Sequence, residues 1–176
     1  MSNYKKLQTA FAQQLADNKA FVEQNIIFAE NIAGDICTFL ELPENDPKTD
    51  LLERPFQFLR PDPEKGFAPQ ETLRQAVISL PEGKFQFGLG VLLETGQKDH
   101  PKQVAWFGVS CDRNGDRLLI DIMGKSFDIL ASVDSPLELG DVCQHVLDDL
   151  LRELEWRIGD EIEQTRIGFD FSALID

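Results

Sequence analysis

From Leu7 to Leu40 the apolar residues recur at helical spacing: Leu15, Val22, Ile26, Ala29, Ala33, Ile36 and Leu40 follow one another at steps of three, four and seven. A second set, Phe21, Phe28, Ile32 and Phe39, widens the stripe well beyond the narrow seam of a coiled coil. The pattern predicts one long helix within residues 1–42, lying deep against a sheet or supplying a contact to a second copy. Gly34-Asp35 is where a break or kink is expected.

The helical period then stops. Six of the nine prolines fall at 43, 47, 55, 61, 63 and 69. Proline fixes its own φ, removes a backbone donor and biases the preceding residue away from helix. Residues 43–72 therefore read as an ordered excursion with one short edge strand at Phe56 to Leu59, and as the segment best suited to recognising a partner.

From Leu73 the period becomes two. In FQFGLGVLLE the residues Phe85, Phe87, Leu89, Val91 and Leu93 alternate along one face, as a half-buried strand requires. Gly88 and Gly90 share the opposite face, where a missing side chain lets another element come close. VAWFGVSC, RLLIDIMG and KSFDIL continue the pattern, so residues 73–131 predict an antiparallel meander of four or five strands. The run Leu73 to Leu80 fits a strand and also fits a short helix opening at Pro69. Asn114-Gly115, flanked by alternating apolar residues, predicts a hairpin in which both residues hold the central turn positions.

Ser135-Pro136-Leu137-Glu138 has the form of a capping box with proline at the first helical position, and predicts a helix over 135–164. Leu139, Val142, Val146, Leu150, Leu154 and Ile158 form its apolar stripe, widened by Cys143, Leu147 and Leu151. The expected architecture is a single α+β domain over 1–176: an antiparallel meander sheet packed against a long N-terminal helix and an acidic C-terminal helix.

Composition narrows the chemistry. The chain has 176 residues, enough for a core without staples, and its 42% hydrophobic and 27% charged content is ordinary for a soluble domain. Thirteen Phe against one Tyr put most aromatic area into rings without a polar tip, which suits a core. No apolar run is long enough to span a membrane and the N-terminus lacks the apolar core of a signal peptide, so a cytoplasmic location is expected. Cys37, Cys111 and Cys143 are odd in number and far apart, which suits reduced thiols better than disulfides or zinc.

Charge is the unusual quantity. Thirty-one acidic against seventeen basic residues give a formal net charge of -14, and residues 134–164 alone hold ten acidic residues and two basic ones. Such a chain repels phosphate, so nucleic acid and anionic membranes are disfavoured and a basic protein partner is favoured.

Three candidate sites follow. Asp112, Asn114 and Asp116 match the first, third and fifth positions of a calcium loop, but its glycine and glutamate positions are not matched, and a plain turn accounts for them better. Asp116, Asp121 and Lys125 could serve a metal-dependent hydrolase or nuclease, although Asp121 and Lys125 stand four apart, where the common arrangement has two. His145 has Asp141, Asp148 and Asp149 at helical spacing around it, on what the pattern makes the polar face, with Glu155 and Trp156 following. The leading expectation is a non-enzymatic binding module, immunity-protein-like or small-chaperone-like, without a cofactor. Its contact residues would be Asp141, His145, Asp148, Asp149, Glu155 and Trp156. The alternatives are the hydrolase and a homodimer built through the first helix.

Overall fold

The structure is a computed structural model that describes residues 2–95, 102–132, 135–155 and 168–170. Its first element is a helix, α1 (Asn3–Phe39), capped by the Ser2 hydroxyl, which accepts from the Lys5 amide. The helix runs through Gly34-Asp35 without a break. A lone glycine lowers helix propensity without removing a backbone donor, so the expected kink does not form.

The sheet begins much earlier than residue 73. Strands β1 (Phe56–Asp62) and β2 (Gly66–Gln70) form a hairpin inside the proline-rich stretch, and β1 is an inner strand, paired on its other side with β4 (Lys84–Leu93). The two prolines in the strands of the hairpin sit where they cost little. Pro61 lies beyond the residues of β1 that pair with β4, and Pro69 lies in the edge strand β2. The Asp62 carboxylate accepts from the amides of Glu64 and Lys65 and closes the turn.

Residues 73–80 divide between both expectations. A one-turn helix, α2 (Leu73–Ala76), opens on a Thr72–Gln75 capping box rather than at Pro69, and a two-residue strand, β3 (Ile78–Ser79), follows and pairs with β4. The meander continues through β5 (Gln103–Asn114), β6 (Arg117–Ile122) and β7 (Lys125–Leu130). The resulting order is β2-β1-β4-β5-β6-β7, with β3 on β4 and a short β8 (Gly168–Asp170) on β5: among the described residues eight strands, more than the four or five expected.

Two turns fix the register of the last three long strands. Asn114 pairs with Arg117, so the two-residue connection is Gly115-Asp116, not Asn114-Gly115; Gly115 alone has positive φ, as a turn with glycine in its first central position requires. The next connection, Met123-Gly124, has positive φ at both residues, and the Met123 side chain is buried.

One face of the sheet is the core. Phe85, Phe87, Leu89 and Val91 of β4, with Ala105, Phe107, Val109 and Cys111 of β5, pack against Ile26 to Ile36 of α1 and against α3 (Gly140–Leu154). The opposite face is shallow. There Gly88 and Gly108 leave a trough into which Phe67 lays its ring, edge-on to Trp106 at 4.9 Å between centroids.

The helix α3 starts at Gly140, not after Ser135. Leu137 and Leu139 alternate with exposed Pro136 and Glu138 and are both buried, so the segment enters the core without helical structure and burial overrides the capping signal. Among the described residues the helix ends at Leu154, and Leu151 and Leu154 are exposed instead of completing the core stripe.

Candidate functional site

The groups proposed for metal chemistry are not brought together. Asp121 pairs with Ser126 across β6 and β7, while Lys125 pairs with Ile122, so the two side chains lie on opposite faces of the sheet. The Ser126 hydroxyl donates to the Asp121 carboxylate, and the Lys125 ammonium sits 4.8 Å from the centroid of Phe127. Asp116 is in the turn at the other end of β6. Among the described residues no three His, Cys, Asp or Glu side chains gather in a way that could hold a metal ion.

The acidic residues of α3 separate into two groups. Asp141, Asp148 and Glu155 are exposed, and Gln144 donates to Asp148 along the same face. Asp149 is 2% exposed, turned inward and held by Arg152 one turn on. His145 is half-buried, its ring 5.6 Å from that of Phe127 and its Nε2 3.4 Å from the Met123 carbonyl oxygen. The expected ring of carboxylates around His145 on the polar face is therefore not what α3 presents. Side chains at a half-turn's edge of an amphipathic helix can be drawn under by the strand beneath, and β7 does this to His145. Trp156 lies outside the described residues.

Two concavities stand out among the described residues. One, of about 360 Å³, lies on the outer face among Leu52, Leu59, Phe67 and Trp106, with Lys65 as its single charge. The other, of about 720 Å³, runs between the C-terminal half of α1 and the β1–α2 region. Its apolar lining is Leu42, Phe56, Phe58 and Leu73; its charged residues are Glu30, Glu41, Glu44 and Glu71, with no lysine or arginine among the residues that line it. Asn45 fixes one wall to the strand, donating to the Phe56 carbonyl and accepting from the Phe56 amide. Arg54, buried behind the wall, donates to the carbonyls of Pro47 and Thr49 and to the Glu71 carboxylate. Cys37 also lines the groove, and partial burial raises the pKa of its thiol.

The groove was partly foreshadowed, since Pro43, Glu44 and Asn45 belong to the stretch expected to recognise partners. Its other wall was not. Glu30 stands on α1 and Glu41 just past its end, eleven residues on, and a charge run does not announce so wide a spacing.

The same helix carries a second exposed feature. Residues 2–22 of α1 are exposed throughout, and burial begins at Asn25. The exit of this arm is fixed by three contacts. The Arg113 guanidinium lies between the rings of Phe21 and Phe28, at 4.8 and 5.0 Å, and donates to the Asn25 side chain. Fully buried Asn25 also donates to Ser79. Arg74 of α2 makes a two-pronged ion pair with Glu23 at 2.7 and 2.8 Å, which lowers the Glu23 pKa.

Beyond that clamp, Tyr4, Leu7, Phe11 and Leu15 are 69, 70, 61 and 53% exposed, on the continuation of the face that α1 buries further along. No family model, curated protein or solved structure matches this chain.

Proposed function

We propose that the protein is a non-enzymatic binding module for a basic protein segment, in the manner of an immunity protein or a small chaperone, and that the groove between α1 and β1–α2 is its receiving site. The observation that carries this reading is the pairing of an apolar floor with a rim of four carboxylates, of which Arg54, from behind the wall, meets only Glu71. Apolar contact supplies affinity there, and the carboxylates select the sign of the partner's charge and steer its approach. The exposed carboxylates of α3, Asp141, Asp148 and Glu155, extend the same negative field and take the steering role rather than the docking role.

The test is a titration of the full chain with a fluorescent amphipathic peptide of lysine and leucine, beside a twin in which glutamate replaces lysine. The lysine peptide is expected to bind, to weaken as salt rises, and to lose at least about tenfold in affinity to Glu41→Lys/Glu44→Lys. Equal binding of both peptides, or of neither, would overturn the reading.

A further inference from the structure

We infer that the groove receives the N-terminal arm of a second copy of this chain, so that two copies exchange arms about a twofold axis near the middle of α1. This rests on the proposed groove and names its occupant.

Area is the first argument. Tyr4, Leu7, Phe11 and Leu15, with the half-exposed Phe21 and Val22, stand in water along one stripe. Side chains of this size have areas of about 150–250 Å² when aromatic and somewhat less when aliphatic, so the stripe exposes on the order of 600 Å². That is the upper limit for a patch on a monomer. Two such stripes covered together bury about 1,200 Å², where stable interfaces begin.

Charge is the second. At about 100° per residue, positions 5, 12, 16, 19, 23, 30 and 34 fall on one side of α1, about a quarter turn from the stripe. On that side the arm half carries Lys5 and Lys19 with Ala12 and Ala16 between them, whereas the body half carries Glu30 with Gly34 and the Glu23 that Arg74 pairs, and Glu41, just past the helix end, lines the groove beside them. Laid antiparallel, the side is complementary to itself: the basic half of each helix meets the acidic half of the other. Because the twofold axis preserves up and down, each arm's stripe then faces the same way as its own core face. It comes down on the partner's groove floor of Phe56, Phe58 and Leu73. Close approach is open at Gly34, where an added Cβ would meet nothing within 4 Å.

Sedimentation equilibrium of the full chain tests the inference, with three variants beside it. The wild-type chain is expected to be a dimer at tens of micromolar, and Phe11→Glu to raise the dissociation constant about a hundredfold or more. Gly34→Leu projects into open space on an exposed helix and improves helix propensity, so the monomer folds while the arm's path is blocked; it too is expected to yield monomers. Lys5→Glu is expected to weaken the dimer about tenfold at low salt, and Lys5→Glu/Glu41→Lys to restore it.

A wild-type monomer at about 100 µM overturns the inference. So does a dimer broken by Phe11→Glu and untouched by Gly34→Leu, because the arms would then pair with each other. Titrating Phe11→Glu with the lysine and leucine peptide separates the two failures. Binding there with monomeric wild type leaves the groove and removes only its proposed occupant; no binding removes both.

Discussion

At Gly88 an added Cβ would stand 2.5 Å from Cε1 of Phe67 and 2.9 Å from the Leu59 Cβ, in backbone-anchored surroundings on two neighbouring strands. Gly88→Ala is therefore expected to cost about 1–3 kcal/mol in urea unfolding, the range of an overpacked site. The alternation of FQFGLGVLLE identified this glycine and its face from sequence, but not the ring that fills the space, which comes from β2, a strand hidden by prolines. The cysteines are graded by burial. Desolvation pushes the Cys143 thiol up to about 11 and Cys111 higher still, whereas Cys37 is raised less and lines the open groove. Maleimide under native conditions is expected to modify Cys37 first, with a rate that rises through mildly alkaline pH as its thiolate forms; mass spectrometry of the digest reads the order. Modification of Cys111 before Cys37 would contradict the burial described above.

Among the elements, the period of the hydrophobic pattern identified α1, β4, β5 and β6: each of these strands buries one face along most of its paired length, and α1 keeps its apolar stripe even where the body does not cover it. It failed where tertiary burial competes with local chemistry. Ser135-Pro136-Leu137-Glu138 has every residue of a helix start, yet burying Leu137 and Leu139 ahead of the helix is worth more than the cap is worth to it. Thr72, whose capping box does form, stood in a stretch with no long helical pattern to announce it. The two sites make a matched pair. Thr72→Ala is expected to cost about 1 kcal/mol in denaturant unfolding, and Ser135→Ala less than about 0.5 kcal/mol. The Glu23–Arg74 strut between α1 and α2 has its own signature. Its ion pair holds the Glu23 carboxyl below the usual carboxylate range, so the stabilisation it gives is present above that range and lost as pH falls through the lowered value. A carboxyl NMR titration is expected to show Glu23 returning to the ordinary range in Arg74→Ala.

For the molecule as a whole, composition pointed to an acidic protein, and the fold shows how that charge is distributed. The arm, residues 2–20, carries Lys5, Lys6 and Lys19 against Asp17, in a chain whose net charge is -14. No window average reveals that the arm stands clear of the body, because the stripe of apolar residues runs unbroken from Tyr4 to Ile36 and only the packing shows where the core ends. His145 and Asp149 illustrate the same point on α3: periodicity gave both an outward face, yet His145 is half-buried against Phe127 and Asp149 is buried. Hydrogen exchange at two concentrations follows the arm directly. In dilute solution the amides of residues 7–20 are expected to exchange within seconds to minutes while those of β4 and β5 stay protected, and at high concentration the arm amides are expected to slow together with those around Cys37. Exchange of the arm that is independent of concentration would show that it has no partner in solution.

The length of α1 affects how the protein moves through water. A helix rises about 1.5 Å per residue, so the part before Asn25 reaches about 33 Å past the last buried turn. An isolated copy carries a thin oar on a rounded hull: it tumbles slowly and drags more than its 19.9 kDa would suggest. Elution volumes calibrated on spherical standards will overstate its size, and pairing that folds both oars inboard will raise the mass twofold while lengthening the rotational correlation time by a smaller factor.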